Sequence, residues 1–509
     1  MSRLSAARQA VAAGFLTALA AACGGAASDP DSESRSDAAG EAVATSVALR
    51  VMSFNIEWGG TNVRFGSITD AIRAADADIV GMQEAEGNLA RLAGELGWHY
   101  NLRNYVVSKY PVIDPPGADG KYVLIEVLPG KAVAIGNVHL PSSPSGAAWL
   151  RAGRTPAAVV AMERQIRLAP IRPVLDALPA LANAALPVFL SGDLNSPSHE
   201  DWIEAAIGKF PYRDHIVPWP VTRAIAATGL RDSFRDIHPD PVANPGFTWW
   251  AARPEIKDFN PADPDARKRI DFLWYGGPAK VTDSRLIGEA GAAEVSVSIT
   301  PWPSDHRAIV SDFDVIPGAM PPLVASERRV HTSGSPLRFV FRNKTLRGSL
   351  VIERHGEHVV TERRIAVESA LGRIRARDDF LSPGFYQVVL QDRAGDEVSR
   401  NDFWILAPEA KPAVAVTGER FARGEPLPVV WQNAPGNRHD WIGVYEADAA
   451  ENQDYRAWGY VGARSSGDMQ LSASNSQDGR PLSPGRYVAR LLLDDGYALL
   501  AESAPFVVD

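Results

Sequence analysis

Between about residues 47 and 316, short runs of large apolar residues alternate with stretches in which apolar positions recur every three or four residues. Leu49 to Ile56, Asp78 to Met82, Ala132 to Leu140, Val188 to Ser191, Ile270 to Tyr275 and Ala308 to Val315 read as buried strands. Each is rich in Val, Ile, Leu or Phe and is bounded by turn residues. Ile68, Ile72 and Ala75 share one helical face. Leu89, Leu92 and Leu96 share another, with Gly97 placed to close that helix. A longer helical region from Thr155 to Leu178 is expected to break near Pro170 and Pro173, where ring and missing N–H oppose the helix. Interleaved strands and helices predict a layered α/β unit.

After about residue 320 long helical patterns give way to alternating strands and frequent turn signals. Gly334-Ser335-Pro336-Leu337 is echoed by Gly424-Glu425-Pro426-Leu427, each leading into an apolar strand that reaches Asn343 or Asn433. Leu381-Ser382-Pro383-Gly384-Phe385-Tyr386 is echoed by Leu482-Ser483-Pro484-Gly485-Arg486-Tyr487. The repetition predicts two small β-sandwiches of immunoglobulin-like type, over 322–409 and 411–509. Their aromatic cluster, Trp431, Trp441, Tyr455 and Trp458, reads as packed core before it reads as a ligand face.

The N-terminus adds a targeting signal. Arg3 and Arg8 precede a short apolar run from Ala10 to Ala22, and small residues lead into Cys23, the only cysteine of the chain. Leu19-Ala20-Ala21-Ala22-Cys23-Gly24 resembles a bacterial lipobox with its leucine one place early, so residues 1–23 are expected to be a lipoprotein-type signal segment, with Cys23 lipidated and left as the first mature residue. Residues 24–46 lack large apolar groups and read as a flexible tether. The expectation is an exported, membrane-anchored lipoprotein, periplasmic or at the cell surface; plain secretion is the alternative. A lone cysteine excludes an intrachain disulfide.

At 509 residues, 45% apolar and 22% charged, the chain is globular and long enough for about three units. Its net charge of −9 argues against a protein devoted to gripping a nucleic-acid backbone. A nuclease stays open, because metal-site carboxylates themselves add negative charge.

Six motifs then stand out, each an apolar strand delivering a polar group at its end: Ser53-Phe54-Asn55-Ile56, Gln83-Glu84, Asn137-Val138-His139-Leu140, Gly192-Asp193-Leu194-Asn195, Arg269-Ile270-Asp271-Phe272 and Ser304-Asp305-His306. Strand ends are where a rigid sheet can aim several side chains at one point. Singly these motifs are common. In this order they resemble the endonuclease/exonuclease/phosphatase superfamily over about 47–316, and Val106-Val107-Ser108-Lys109-Tyr110-Pro111 resembles the same family's strand and turn between the glutamate and histidine motifs. The resemblance implies a four-layer α/β sandwich, two packed sheets flanked by helices, and hydrolysis of a phosphate ester with Mg²⁺ or Mn²⁺.

The chemistry of the residues agrees. A phosphate ester repels hydroxide, and a hard cation on oxygen ligands neutralises that charge. Glu84 is the best single ligand, with Asn55 orienting it or holding a metal-bound water; by resemblance Asp305 approaches the metal or the leaving-group side. Asp193 suits a general base and Asn195 a group that positions water or phosphate. Asp271 against His306 would favour an imidazolium facing a phosphoryl oxygen, and His139 would add a second donor. Arg151, Arg154 and Arg223 are candidates for substrate anions. The reading is of a monomeric phosphodiesterase that meets the membrane through its lipid anchor and nucleic acid only as substrate. The alternatives are an exported nuclease and a catalytically inactive surface-binding protein.

Overall fold

In the computed structural model, the described residues are 45–211, 213–252, 267–356, 358–376, 381–476 and 479–509. The expected signal peptide, Cys23 and nearly all of the expected tether lie outside them. Among the described residues no helix is long and apolar enough to cross a membrane.

The first 270 or so described positions build two seven-stranded sheets. In the first, Val47–Asn55 lies parallel to Ile79–Gln83 and antiparallel to Ala308–Val315. In the second, Lys131–His139 runs parallel to Val188–Asp193, which pairs antiparallel with Asp271–Gly276. Side-chain alternation along these strands makes the layers. Leu49 and Val51 face the other sheet and meet Phe189, Leu273, Val133 and Ile135 there. Met52 and Phe54 face the opposite way, onto the helices Gly66–Ala74 and Leu89–Leu96. On the second sheet, Ala134, Leu190 and Phe272 pack under the helix Ala169–Asn183. The result is the four-layer α/β sandwich.

The predicted helical faces are buried, Leu96 only partly, and Gly97 closes its helix in the left-handed conformation at φ 72°. The long helical region behaves differently. Pro156–Glu163 runs into a wider π-type turn over Arg164–Leu168, and the helix then continues through Pro173 to Asn183. The interruption therefore precedes the prolines. A wide turn loosens the hydrogen-bond ladder where Pro170 and Pro173 can no longer donate, so the helix survives them.

Both C-terminal modules are all-β. The first sets a three-stranded sheet against a five-stranded one, with strands between Leu323 and Leu406; the second sets three strands against six, between Ala413 and Val508. The repeated Leu-Ser-Pro-Gly segment has one physical purpose in both copies. The Tyr386 hydroxyl donates to the Ser382 carbonyl at 2.7 Å, and the Tyr487 hydroxyl donates to the Ser483 carbonyl at 2.8 Å. This is the tyrosine corner of immunoglobulin-like sandwiches. Trp431 and Trp441 are buried in the second module, with Tyr455 and Trp458 packed against Trp441, so the aromatic cluster is core. The α/β layers and both modules form one compact unit over Thr45–Asp509.

Candidate active site

Strand register assembles the site. His139 and Asp271 both pair with Asp193, one from each side, so three functional groups end abreast on the second sheet. Asn55 ends the central strand of the first sheet, and Glu84 follows the neighbouring strand. The two sheets lean together at these ends through a polar seam. Asn137 accepts from Gln83 Nε2 at 2.6 Å and from Ser191 Oγ at 2.9 Å, and donates to the Met82 carbonyl at 2.7 Å. Gly81 permits this approach, since a Cβ there would lie 2.0 Å from Ser191 Oγ.

Asn55 is the bridge. Its amide nitrogen donates to Glu84 Oε1 at 2.9 Å and to Asp193 Oδ2 at 3.1 Å, holding two carboxylates that would otherwise repel. Its amide oxygen accepts from the Glu57 N–H at 3.0 Å. The second Glu84 oxygen accepts from the Trp58 N–H at 3.1 Å. Asp193 accepts from the Asn195 N–H at 2.8 Å, and the Asn195 amide lies 3.2 Å from His139 Nε2. His139 Nε2 is 3.7 Å from both Glu84 and Asp193. Glu57, Trp58, Glu84 and Asn195 all hold positive φ, a costly backbone state for such residues that concentrates at functional sites.

Across the site, His306 Nδ1 is 2.9 Å from Asp271 Oδ2, while its Nε2 lies 3.7 Å from Asp193 and 3.8 Å from Asp305. The other Asp271 oxygen is buried without a hydrogen-bond partner among the described residues. Ser304 fastens this loop to the first sheet by donating to the Asn55 carbonyl at 2.7 Å and accepting from the His306 N–H. Burial disfavours charge on His306, but Asp271, Asp305 and Asp193 outweigh it and raise its pKa well above the ordinary range. Burial pushes the Asp193 carboxyl up to about 6, reinforced by Asp271 and opposed by His306 and His139. One buried carboxylate beside one persistent imidazolium is a base next to a cationic donor.

Two donor sets are close enough to grip a cation: Glu84, His139 and Asp193, and Asp193, Asp271 and His306. The first opens to solvent through Glu84 and His139, whose side chains are 21% and 23% exposed. With Asn55 alongside, it offers the oxygen-rich, incompletely enclosed coordination that suits a hard divalent ion. Asp305 stands on the His306 side, where Trp249 Nε1 donates to it at 3.1 Å, and is in neither set. Arg151, Arg154 and Arg223 are exposed, and none lines the cleft beside Glu84 and His139.

Some site residues carry no sequence motif. Lys268 lies near Asp193, its ammonium 4.2 Å from the Trp249 ring centroid; burial lowers its pKa to about 8, against the pull of Asp193. Glu57 accepts from the Asp305 N–H at 3.2 Å. Arg438, His439, Asp494 and Asp495, from the second β-sandwich, line the same cleft as Glu84 and His139.

The model of the endonuclease/exonuclease/phosphatase family matches residues 52–306, which spans all of these strand ends. The chain belongs to that family. It is 29% identical over 299 residues to the Caenorhabditis elegans protein named "Uncharacterized protein F14F9.5", covering 53% of this chain and 93% of that one. Among solved structures it is similar to an endonuclease/exonuclease/phosphatase of Beutenbergia cavernae, at 17% identity and a TM-score of 0.33, covering 70% of this chain and 99% of the other. Truncated Caenorhabditis elegans TDP2 is similar at 21% identity and a TM-score of 0.29, covering 53% and 98%.

Proposed function

We propose that this chain is a divalent-metal-dependent phosphoesterase, acting on phosphodiesters in preference to monoesters, by direct in-line attack of water. The observation that carries the reading is the convergence of Asn55, Glu84, His139, Asp193, Asn195, Asp271 and His306 at one cluster of strand ends. Glu84 and Asn55, with Asp193 beside them, would hold Mg²⁺ or Mn²⁺, which supplies charge neutralisation at the phosphate and acidifies a nearby water.

The chain's own groups do the rest. Asp193 accepts the proton of the attacking water as the opposite phosphorus–oxygen bond breaks, its raised pKa makes it a better base than an exposed carboxylate, and the departing alcohol takes its proton from solvent. Asn195, fixed by its hydrogen bonds to Asp193 and to the Leu140 carbonyl, orients that water. His306, charged and held by Asp271, faces one phosphoryl oxygen, and His139 faces another; both stabilise the negative charge that builds in the transition state. In this scheme no covalent phospho-enzyme forms, because the base activates water directly.

The lipobox-like segment ending at Cys23 supports an exported, membrane-anchored enzyme. The acidic charge of −9 favours a small or lipid-derived ester over a nucleic acid. Purified protein is expected to hydrolyse bis-p-nitrophenyl phosphate with Mg²⁺ or Mn²⁺ and to stop when a chelator is added. Failure with both metals, on that ester and on a broad panel of phosphate esters, would leave the binding-protein reading in its place.

A further inference from the structure

The cleft that holds Glu84 and His139 is not built by the α/β unit alone. Its far wall is the tip of the second β-sandwich. Arg438 and His439 come from the turn before the strand Trp441–Glu446, and Asp494 and Asp495 from the turn after Gly485–Leu492. These turns are fastened to the catalytic layers. The His439 ring stacks on Tyr105, with centroids 5.1 Å apart and planes 16° apart. Asp494 is buried and accepts from the Tyr105 hydroxyl and from the Gly87 N–H. The Arg438 N–H donates to the Leu102 carbonyl at 3.1 Å, and its guanidinium donates to the Gly120 carbonyl. Arg438 and Asp494 thus hold the wall in place.

Asp495 and His439 are left facing the cleft. The Asp495 side chain is 46% exposed and lies 4.0 Å from His439 Nδ1, with one oxygen accepting from the Tyr460 hydroxyl at 2.6 Å. Trp58, 68% exposed, lines the same cleft. The cleft offers about 260 Å³, room for one small organic group. Acidic groups of Glu86 and Asp495 oppose a second phosphate here, and the exposed Trp58 indole, with the hydrogen-bonding Asp495 and His439, suits a group that carries both hydroxyls and a C–H face.

Resting on the phosphoesterase reading, we propose that the second β-sandwich forms the specificity wall of the catalytic cleft, and that this wall receives the neutral, hydroxyl-bearing alcohol of a small phosphate ester. Asp495 and His439 bond its hydroxyls, and the Trp58 indole covers its C–H face.

The test uses the full-length chain with Mg²⁺ and compares kcat/KM on hydroxyl-rich esters, glycerophosphoglycerol and a hexose phosphate, with kcat/KM on bis-p-nitrophenyl phosphate, which has no hydroxyls. Asp495→Ala and His439→Ala are each expected to lower the ratio of the first to the second at least tenfold. Asp495→Asn, which keeps a carbonyl acceptor, should recover most of it. The melting temperature of each variant separates this from misfolding, and a variant that melts early is replaced by Asp495→Ser. An unchanged ratio in stable variants would overturn the proposal. So would a wild-type preference for glycerophosphocholine or for a bisphosphate, or hydrolysis of bis-p-nitrophenyl phosphate with none of the hydroxylated esters. Inactivity of the wild type on every ester would instead overturn the phosphoesterase reading itself.

Discussion

To act as the proposed base, Asp193 must stay ionised while buried between Asp271 and two histidines, and the arrangement of its neighbours decides whether it can. His306 and Asn55 sit on one carboxylate oxygen and the Asn195 N–H on the other. Asp193→Asn keeps the size and loses the base, so turnover of bis-p-nitrophenyl phosphate should fall by roughly a hundred- to ten-thousand-fold, the usual range for a lost general base, with little change in melting temperature. His306→Ala should fall comparably, and it also strands Asp271, whose second oxygen already has no described partner. Near-wild-type rates in either variant would reverse the roles assigned above. These residues were legible in the sequence because each ends a recognisable strand motif. Lys268, Glu57 and Trp58 were not. Their places depend on loop paths and on positive-φ turns that leave no periodic trace, and a lysine before Arg269 looks like ordinary solvated charge.

Elements were easier to read than their interruptions. Every predicted strand of the α/β unit is present, because two-sided burial demands continuous apolar runs. The helical region after Thr155 was misjudged locally. Its π-type turn is set by tertiary contacts: Arg167 is fully buried and donates to the carbonyls of Pro141, Ser142 and Pro144, the loop that follows His139, while pairing with Glu163 at 2.8 Å. Gly81 gives a sharper case of hidden constraint. A methyl group there would collide with Ser191 Oγ, so Gly81→Ala should cost about 1–3 kcal/mol, as overpacking does, seen as a lower denaturant midpoint. In the first sandwich, the strand Val330–Thr332 buries His331 against Ser326, and burial lowers its pKa from 6.5 to about 4. The unfolded chain then binds the proton more readily. The neutral-histidine contribution is complete above about pH 6.5 and is lost as pH falls toward 4, up to about 3 kcal/mol. His331→Gln keeps a hydrogen-bonding group but cannot titrate. Guanidinium unfolding at pH 7.5 and pH 5 should show the wild type losing more stability on acidification than this variant; equal losses would remove His331 as a cause.

At the scale of the whole molecule, the second β-sandwich and the catalytic loop after Glu84 behave as one piece. Nothing local in the sequence announces this, since Gly87 and Asp494 are about 400 positions apart and neither belongs to a motif. The loop turns back at Gly87 with φ 83°, and a Cβ there would meet Leu493 of the sandwich at 2.7 Å. Its N–H is taken by Asp494, and the Trp441 indole fixes the same sandwich turn by donating to the Gly496 carbonyl at 3.0 Å. Gly87→Ala therefore carries two penalties. The left-handed backbone costs roughly 1–2 kcal/mol for any residue with a Cβ. The methyl group also presses on the end of the Leu493 side chain, which must turn aside or pass the strain to the sandwich tip or the Glu84 loop. Because Glu84 lies three residues upstream, a shift of the loop would weaken the proposed metal site. The expected result is a loss of kcat/KM of similar size on hydroxylated and hydroxyl-free esters, partly recovered by raising Mg²⁺. Asp495→Ala, by contrast, should change only the selectivity between them. If Gly87→Ala lowered the melting temperature yet left Mg²⁺ dependence untouched, the sandwich would be a wall resting on the site without holding its metal-binding loop.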